Sequence, residues 1–282
     1  MTEQVSKAIL ITGCSTGIGR AAALRLASRG HNVYASARKL EAISELADAG
    51  CKTLALDVCD EASMRAAVER IEQAEGAVGV VVNNAGYGQA GAIEDVSMDA
   101  ARKQFETNVF GLLRLTQLAL PGMRRQRWGR VVNVSSMGGK LVFPGFGIYH
   151  ATKFAVEAMS DALRFEVRGF GIRVSLIEPG AIRTQFEDTS AARMDGTAAS
   201  ADASLYADFY ASIEKQTRGT YAGRMAAGPE IVARAIEHAA TSRRPRSRYP
   251  LTAGARFLLT TRRLLPDGGW DALMGMQLKR PG

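Results

Sequence analysis

Short apolar runs of strand length alternate with stretches whose apolar residues recur every three to four positions. The runs are AILIT (8–12), NVYASA (32–37), KTLALDV (52–58), VGVVVNNAG (78–86), GRVVNVSS (129–136) and IRVSLIEPG (172–180). The helical stretches between them are 17–30, 39–50, 60–76, 97–126 and 149–171, the first two stopping at Gly30 and Gly50. Segment 97–126 is long enough for one helix or two, with Pro121 near its end. Strands that read as continuous apolar runs, each followed by an amphipathic helix, predict a parallel sheet covered on both faces. Right-handed crossovers make that a doubly wound, Rossmann-like α/β fold.

The rhythm breaks after residue 180. Segment 181–228 is small, polar and weakly periodic around one helix at 205–217, and a long irregular insertion of this kind suits a substrate lid. A helix over 228–241 with Pro229 in its first turn, and SRYPL (247–251) as a last strand, follow. The expectation is a single domain over 1–282: a core at 6–180, the lid at 181–228, and a C-terminal helix, last strand and extension at 229–282.

At 46% hydrophobic and 23% charged, the 282 residues have an ordinary globular composition. No apolar run reaches the roughly 18 residues of a membrane span, and the first apolar run is too short for a secretory leader, so a cytoplasmic protein is expected. Cys14, Cys51 and Cys59 have no metal-site spacing and are expected to be free thiols, with no bound metal. The net charge of +8 is concentrated in the basic stretches 242–250 and 261–266, which read as a solvated face, and nucleic-acid binding is not expected. Segment 252–276 is expected to dock on the protein, its flanking arginines leaving an interfacial membrane helix as the other option.

ITGCSTGIGR (11–20) sits at the junction of the first strand and first helix. Free N–H groups and the positive helix end attract an anion there, and glycines at 13, 17 and 19 let a pyrophosphate approach. The second strand ends in SARK (36–39), with an arginine and no carboxylate. A guanidinium pairs well with a phosphate, so NADP(H) is expected over NAD(H), with Arg38 on the 2′-phosphate and Ser15 assisting from the loop.

With these residues in view, the chain resembles the short-chain dehydrogenases/reductases over roughly residues 6–240. TGCSTGIG (12–19) looks like the cofactor loop of that family, bringing Gly13, Ser15, Gly17, Ile18 and Gly19 to the cofactor. LDV (56–58) is similar to the segment meeting the adenine ring, here Asp57 and Val58. NNAG (83–86) matches the fourth-strand motif, which implies Asn84, Ala85 and Gly86. PGAIRT (179–184) is similar to the stretch holding the nicotinamide amide, which implies Pro179, Gly180, Ile182 and Thr184. YHATK (149–153) is the Y-x-x-x-K motif, Ser136 lies 13 residues before Tyr149, and Asn108 falls where the family's catalytic asparagine lies. Stretches such as ARKL, SMGG and 149–167 look most like the NADP-linked members acting on steroids, retinoids and similar apolar carbonyl compounds.

Positions i and i+4 share a helix face, so Tyr149 and Lys153 converge. A nearby ammonium favours a phenolate and would bring the tyrosine towards working pH, as a general acid for reduction and base for oxidation. The resemblance implies that Ser136 hydrogen-bonds the substrate oxygen, that Lys153 also holds the nicotinamide ribose, as Tyr149 and Lys153 both meet the cofactor, and that Asn108 anchors a water linking Lys153 to solvent. His150 is read as a residue without a role in the site. Segment 141–147, Tyr87, Gly88, Phe186, Leu205, Tyr206, Phe209 and Tyr210 would line an apolar pocket for a small carbonyl or alcohol substrate, with the acidic Glu187 and Asp188 in reach. Family likeness further implies a homodimer or homotetramer. Two other readings compete: a non-catalytic NADP(H)-sensing protein, which would have no need of the proton-transfer set, and an enoyl reductase of the divergent type, which would call for a longer Tyr–Lys gap.

Overall fold

The strands form mostly at the short apolar runs, with Val and Ile crowding the central ones. In the computed structural model, which describes residues 5–185, 206–223 and 226–276, they are β1 (Ile9–Ile11), β2 (Val33–Ala37), β3 (Lys52–Ala55), β4 (Val80–Asn83), β5 (Gly129–Val134), β6 (Ile172–Glu178) and β7 (Arg248–Pro250). They pair in parallel in the order β3-β2-β1-β4-β5-β6-β7. Order reverses between β1 and β4, so a crevice opens there beyond the C-terminal strand ends, where open α/β sheets bind ligands.

Side chains alternate across the sheet. Ile9, Ile11, Val80, Val82, Val132 and Ile177 pack on α1 (Gly17–Ser28) and on a later helix at Pro229–Thr241. Leu10, Val81, Val131 and Val174 face the other way, onto α3 (Glu61–Glu75) and α5 (Leu112–Arg125). Leu10, Ile11, Leu176 and Ile177 are among the fully buried side chains, each worth ~1.5–3 kcal/mol of hydrophobic stabilisation. Helix α1 ends with Gly30 at φ +76°, its N–H bonding Ala27 O at 2.8 Å. The left-handed turn there stops the helix as the sequence reading expects. The expected helix at 39–50 is shorter: a 3₁₀ turn at Leu40–Ile43 runs into α2 (Glu45–Asp48).

The expected 97–126 segment is α4 (Met98–Phe105), a π-helical turn at Glu106–Gly111, and α5, all in one continuous run. A buried polar ladder crosses from α5 to α6 (Gly147–Glu166). Asn83 Nδ2 donates to Thr116 Oγ1 (3.0 Å) and Asn133 Oδ1 (2.8 Å), and Asn133 Nδ2 donates to Ser160 Oγ (2.9 Å). The amide nitrogens of both asparagines thus find acceptors, and α5 and α6 are pinned to the sheet.

The C-terminal part contributes α7 (Ala207–Ala222), α8 (Pro229–Thr241), α9 (Ala253–Leu264) and α10 (Asp267–Gly275). The last two dock on the protein: Trp270 and Met274 bury against Leu141, with Phe143, Leu258 and Leu259 packed beside them. Among the described residues no helix is long and apolar enough to cross a membrane. Trp270→Ala is expected to cost ~3–5 kcal/mol at this contact and to speed amide exchange across α9 and α10 while the strands keep theirs. Unchanged exchange in those helices would show that something else holds them.

Candidate active site

The glycine loop is tied to β4 by side chains that the motif itself supplies. Thr12 Oγ1 accepts from the N–H groups of Asn84 and Ala85, each at 3.0 Å, and Asn84 Nδ2 donates to Thr12 O (2.8 Å) and Gly13 O (3.1 Å). Gly13 and Gly17 have φ of +72° and +57°. A Cβ on Gly19 would stand 2.3 Å from Gly13 O, so the loop closes on itself only with glycine there. Asn84, expected at the cofactor, therefore also builds the loop. Thr16 precedes α1 in extended conformation and makes no side-chain cap, so the first-turn N–H groups are left for another acceptor. Ser15 and Ile18 are half-buried on this loop, and Cys14 is buried within it, its thiol pushed up to about 12 by desolvation and therefore inert. All three cysteines are free.

The Pro179–Thr184 segment leaves β6 and crosses to the same loop. Met137 N donates to Pro179 O (2.9 Å), and a Cβ on Gly17 would meet Thr184 at 3.2 Å. Ile182 is buried, in a bridge with Ala227, while Gly180 is half-buried. At the far side Arg38 is exposed just past the end of β2, and among the described residues no side-chain hydrogen bond or ion pair ties it down. Asp57 caps its own turn, Oδ1 accepting from Cys59 N at 2.9 Å, and Val58 is buried against Gly111, whose Cβ position lies 2.3 Å from Val58 O.

Asn108, Ser136, Tyr149 and Lys153 come together beside Gly86. A Cβ on Gly86 would stand 3.0 Å from Asn108 Oδ1 and 3.9 Å from Lys153 Nζ. Ser136 Oγ accepts from Gly138 N (3.0 Å) and shares a hydrogen bond with the Tyr149 hydroxyl. Lys153 Nζ donates to Val134 O at 2.9 Å and lies 5.8 Å from the Tyr149 ring centroid. Asn108, inside the π turn, donates to Tyr87 O (2.9 Å) and Thr152 Oγ1 (3.1 Å) and accepts from Tyr87 N (3.1 Å). Both its amide hydrogens are thus donated to protein acceptors.

The electrostatics correct one expectation. Burial pushes the Tyr149 phenol above its ordinary value, with Tyr221 on α7 adding to the rise and Ser136 opposing it. The ammonium was expected to lower it, but Lys153 is itself desolvated and driven down to about 8, with Glu157 opposing that fall. Burial here outweighs the Tyr–Lys attraction, and both groups lean towards their neutral forms.

His150 is the residue sequence reasoning undervalued. Its Nε2 accepts from Phe143 N (3.2 Å), which leaves Nδ1 to donate to Gly138 O (2.9 Å). The ring clamps the turn that carries Ser136. Burial drives it down to about 4, so it stays neutral. Its position next to the tyrosine was visible in the sequence, but its partners were not.

The pocket expectations split. Leu141 and Phe143 face α9 and α10, not the crevice, because Trp270 gives them a larger apolar partner. Tyr206, just before α7, and Tyr210 on it point their hydroxyls to Glu94 Oε2 (2.8 Å) and Asp95 Oδ2 (2.5 Å), stapling this helix to the loop before α4. Phe209 stacks between them, its ring 6.0 Å from each. Gly88 is buried and Tyr87 holds Asn108 by its main chain. Phe186, Glu187, Asp188 and Leu205 lie outside the described residues. Tyr221, beyond the helix end expected at 217, reaches the Tyr149 phenol because α7 runs five residues longer, to Ala222.

Residues 7–195 match the family model described as short chain dehydrogenase. An oxidoreductase of Escherichia coli K12, YbbO, is 36% identical over 271 residues, covering 96% of this chain and 94% of that protein. The human 17-beta-hydroxysteroid dehydrogenase type 1 is 35% identical over 271 residues, covering 92% of this chain and 81% of that protein. The structure of a serine dehydrogenase complexed with NADP+ superimposes with a TM-score of 0.75 at 26% identity, over 88% of this chain and 95% of that one.

Because the folded protein holds His150 neutral, its contribution to stability is complete above the ordinary value of 6.5 and is lost as pH falls towards about 4. His150→Gln is expected to lower stability by about 1–3 kcal/mol at neutral pH, from the orphaned Gly138 and Phe143 groups, and to flatten the decline across that window. Thermal melts of both proteins over this range check it; parallel curves would remove the clamp from the account.

Proposed function

The chain belongs to the short-chain dehydrogenase family, and from that premise we propose that it is an NADP(H)-dependent oxidoreductase interconverting a secondary alcohol and a ketone, or an alcohol and an aldehyde, on an apolar substrate. The observation that carries the reading is the Ser136–Tyr149 hydrogen bond with the Lys153 ammonium one helical turn on, at the switch point of the sheet.

The residues present fit a dinucleotide. The uncapped start of α1 and the glycine loop suit a pyrophosphate, the half-buried Asp57 and buried Val58 lie on the adenine side, and Pro179, Gly180, Ile182 and Thr184 close the nicotinamide end. Arg38 is exposed and uncommitted among the described residues, as a 2′-phosphate ligand should be, with Ser15 in the glycine loop. The NADP+ bound to the structurally similar serine dehydrogenase supports the same choice. The cofactor, when bound, supplies or accepts the hydride.

The protein handles the proton. Ser136 orients the substrate oxygen against Tyr149. The raised phenol keeps its proton until negative charge develops on that oxygen, then donates it; in the oxidative direction it takes the proton back. Lys153, poised at about 8, supplies positive charge to the phenolate as it forms and holds the ribose. Asn108 fixes the Gly86–Tyr87 segment that floors the lysine. The proton-transfer set argues against a protein that only senses the cofactor. The apolar substrate is supported by the aromatic lid helix and by likeness to a dehydrogenase of hydroxysteroids. The exposed Phe110, Leu113, Phe154 and Phe165 on the α5–α6 side support assembly as a homodimer or homotetramer.

With a panel of apolar ketones, Tyr149→Phe is expected to lower kcat by at least about 10²–10⁴-fold, with NADPH binding kept. Full activity in the variant would refute the tyrosine's role. Arg38→Asp is expected to raise the KM for NADPH at least about tenfold and to favour NADH. A variant that retains its NADPH preference would move the phosphate site elsewhere.

A further inference from the structure

Below the Ser136 turn lies a group of charges that the hydride chemistry leaves unused. Glu157 follows Lys153 by one turn of α6, and Glu178 is the last residue of β6; they are 5% and 2% exposed. Arg248 on β7 reaches both: Nη2 is 3.1 Å from Glu157 Oε2, and Nε is 3.1 Å from Glu178 Oε1. The same Nη2 is 2.7 Å from Asp161 Oδ2, and Lys140 Nζ is 3.5 Å from Glu157 Oε2. Arg164 holds Asp161 at the outer edge. Lys140, Lys153, Asp161, Arg164 and Arg248 are thus the charged groups around the two glutamates.

The glutamates lie within hydrogen-bonding reach of each other, yet among the described residues neither Oε1 of Glu157 nor Oε1 of Glu178, both buried, receives a well-aligned hydrogen bond, the Arg248 Nε at 3.1 Å from Glu178 Oε1 making an ion pair only. Ionised carboxylates only accept, so two of them in contact cannot satisfy one another. One proton between them gives a donor to the pair and removes the repulsion of two buried like charges. Desolvation, then the charge of Glu157, push Glu178 up to about 7 in agreement with this. Such a proton belongs to the pair and not to either residue.

The pair is wired to the catalytic lysine. A Cβ on Gly139 would stand 2.8 Å from Glu157 Cγ and 3.0 Å from Lys153 O, so the Ser136 turn closes down on α6 between the two residues. The charge of Glu157 favours the ammonium of Lys153 against its burial.

We propose that Glu157 and Glu178 share a single proton and that this carboxyl–carboxylate pair sets the charge of Lys153, both glutamates acting as positioning residues. The proposal rests on the reading that Lys153 works as an ammonium beside Tyr149. As pH rises the shared proton leaves to solvent, breaking one O–H bond and adding a second negative charge near Lys153. The lysine then keeps its proton to higher pH than its burial alone would allow. Stability carries the opposite mark: what Glu178 contributes is complete below its ordinary value of 4.5 and is lost as pH rises through about 7.

Infrared difference spectra of the ligand-free full-length protein, taken between about pH 6 and about pH 9 in H₂O and D₂O, read the pair without any turnover. A protonated-carboxyl C=O stretch that shifts in D₂O is expected at the lower pH, absent at the higher pH, and missing in Glu178→Gln. The pH profile of kcat with NADPH reads the coupling. In Glu178→Gln and Glu157→Gln the alkaline limb is expected to move to lower pH, giving up to about tenfold lower kcat on that limb, with the KM for NADPH within about twofold. Wild-type protein without the carboxyl band, or a Glu178→Gln variant that keeps it, overturns the pair. A band that behaves as expected with an alkaline limb unmoved in the folded variants overturns its link to Lys153. Should Glu157→Gln fail to fold, Glu178→Gln, which mimics the protonated acid, decides both readings alone. Because the band needs no substrate, a failed reductase reading and a failed pair are told apart.

Discussion

The burial of one ammonium organises this molecule. Lys153 is 7% exposed, and its Nζ finds Val134 O at the end of β5, 2.9 Å away. A charge withdrawn from water to that degree costs several kcal/mol unless its surroundings compensate. Two groups compensate: the charge of Glu157 one turn along and the Val134 carbonyl at the strand end. The polar ladder from Thr116 through Asn83 and Asn133 to Ser160 holds the helices to the sheet so that this geometry is reproduced each time the chain folds.

Much of this was legible in the sequence, for reasons that separate cleanly. Parallel strands buried on both faces announce themselves as apolar runs, and the runs at 8–12, 32–37 and 172–180 became β1, β2 and β6 with frayed ends. Asn108, Ser136, Tyr149 and Lys153 could be picked out together because their spacings are covalent facts, and the structure does bring them to one place. What could not be read is whatever depends on competition between partners. Leu141 and Phe143 had two apolar destinations, and the C-terminal helices won. The π turn at Glu106–Gly111 was not read, because the shift of the apolar stripe that one extra residue causes looks the same in sequence as a break between two helices. The direction of the Tyr149 shift turned on the balance of desolvation against a charge, which needs the depth of burial and not the spacing.

The irregular C-terminal third divides its labour. Helix α7 is held by hydroxyl-to-carboxylate bonds from Tyr206 and Tyr210 and by the burial of Tyr210 and Ile213, and its other end carries Tyr221 to the Tyr149 phenol. Helices α9 and α10 are held by apolar burial on Trp270 and Met274. Both attachments bury apolar surface, so detaching either segment costs packing energy, and α7 adds polar bonds at its start.

Asn108 grips residue 87 entirely through the main chain, N–H and carbonyl alike, and Gln104 Nε2 adds a second bond to the same carbonyl at 2.9 Å. The side chain at 87 is therefore not part of this grip: Asn108 is registered by a peptide unit, and any residue with a main-chain N–H and carbonyl there offers it the same two bonds.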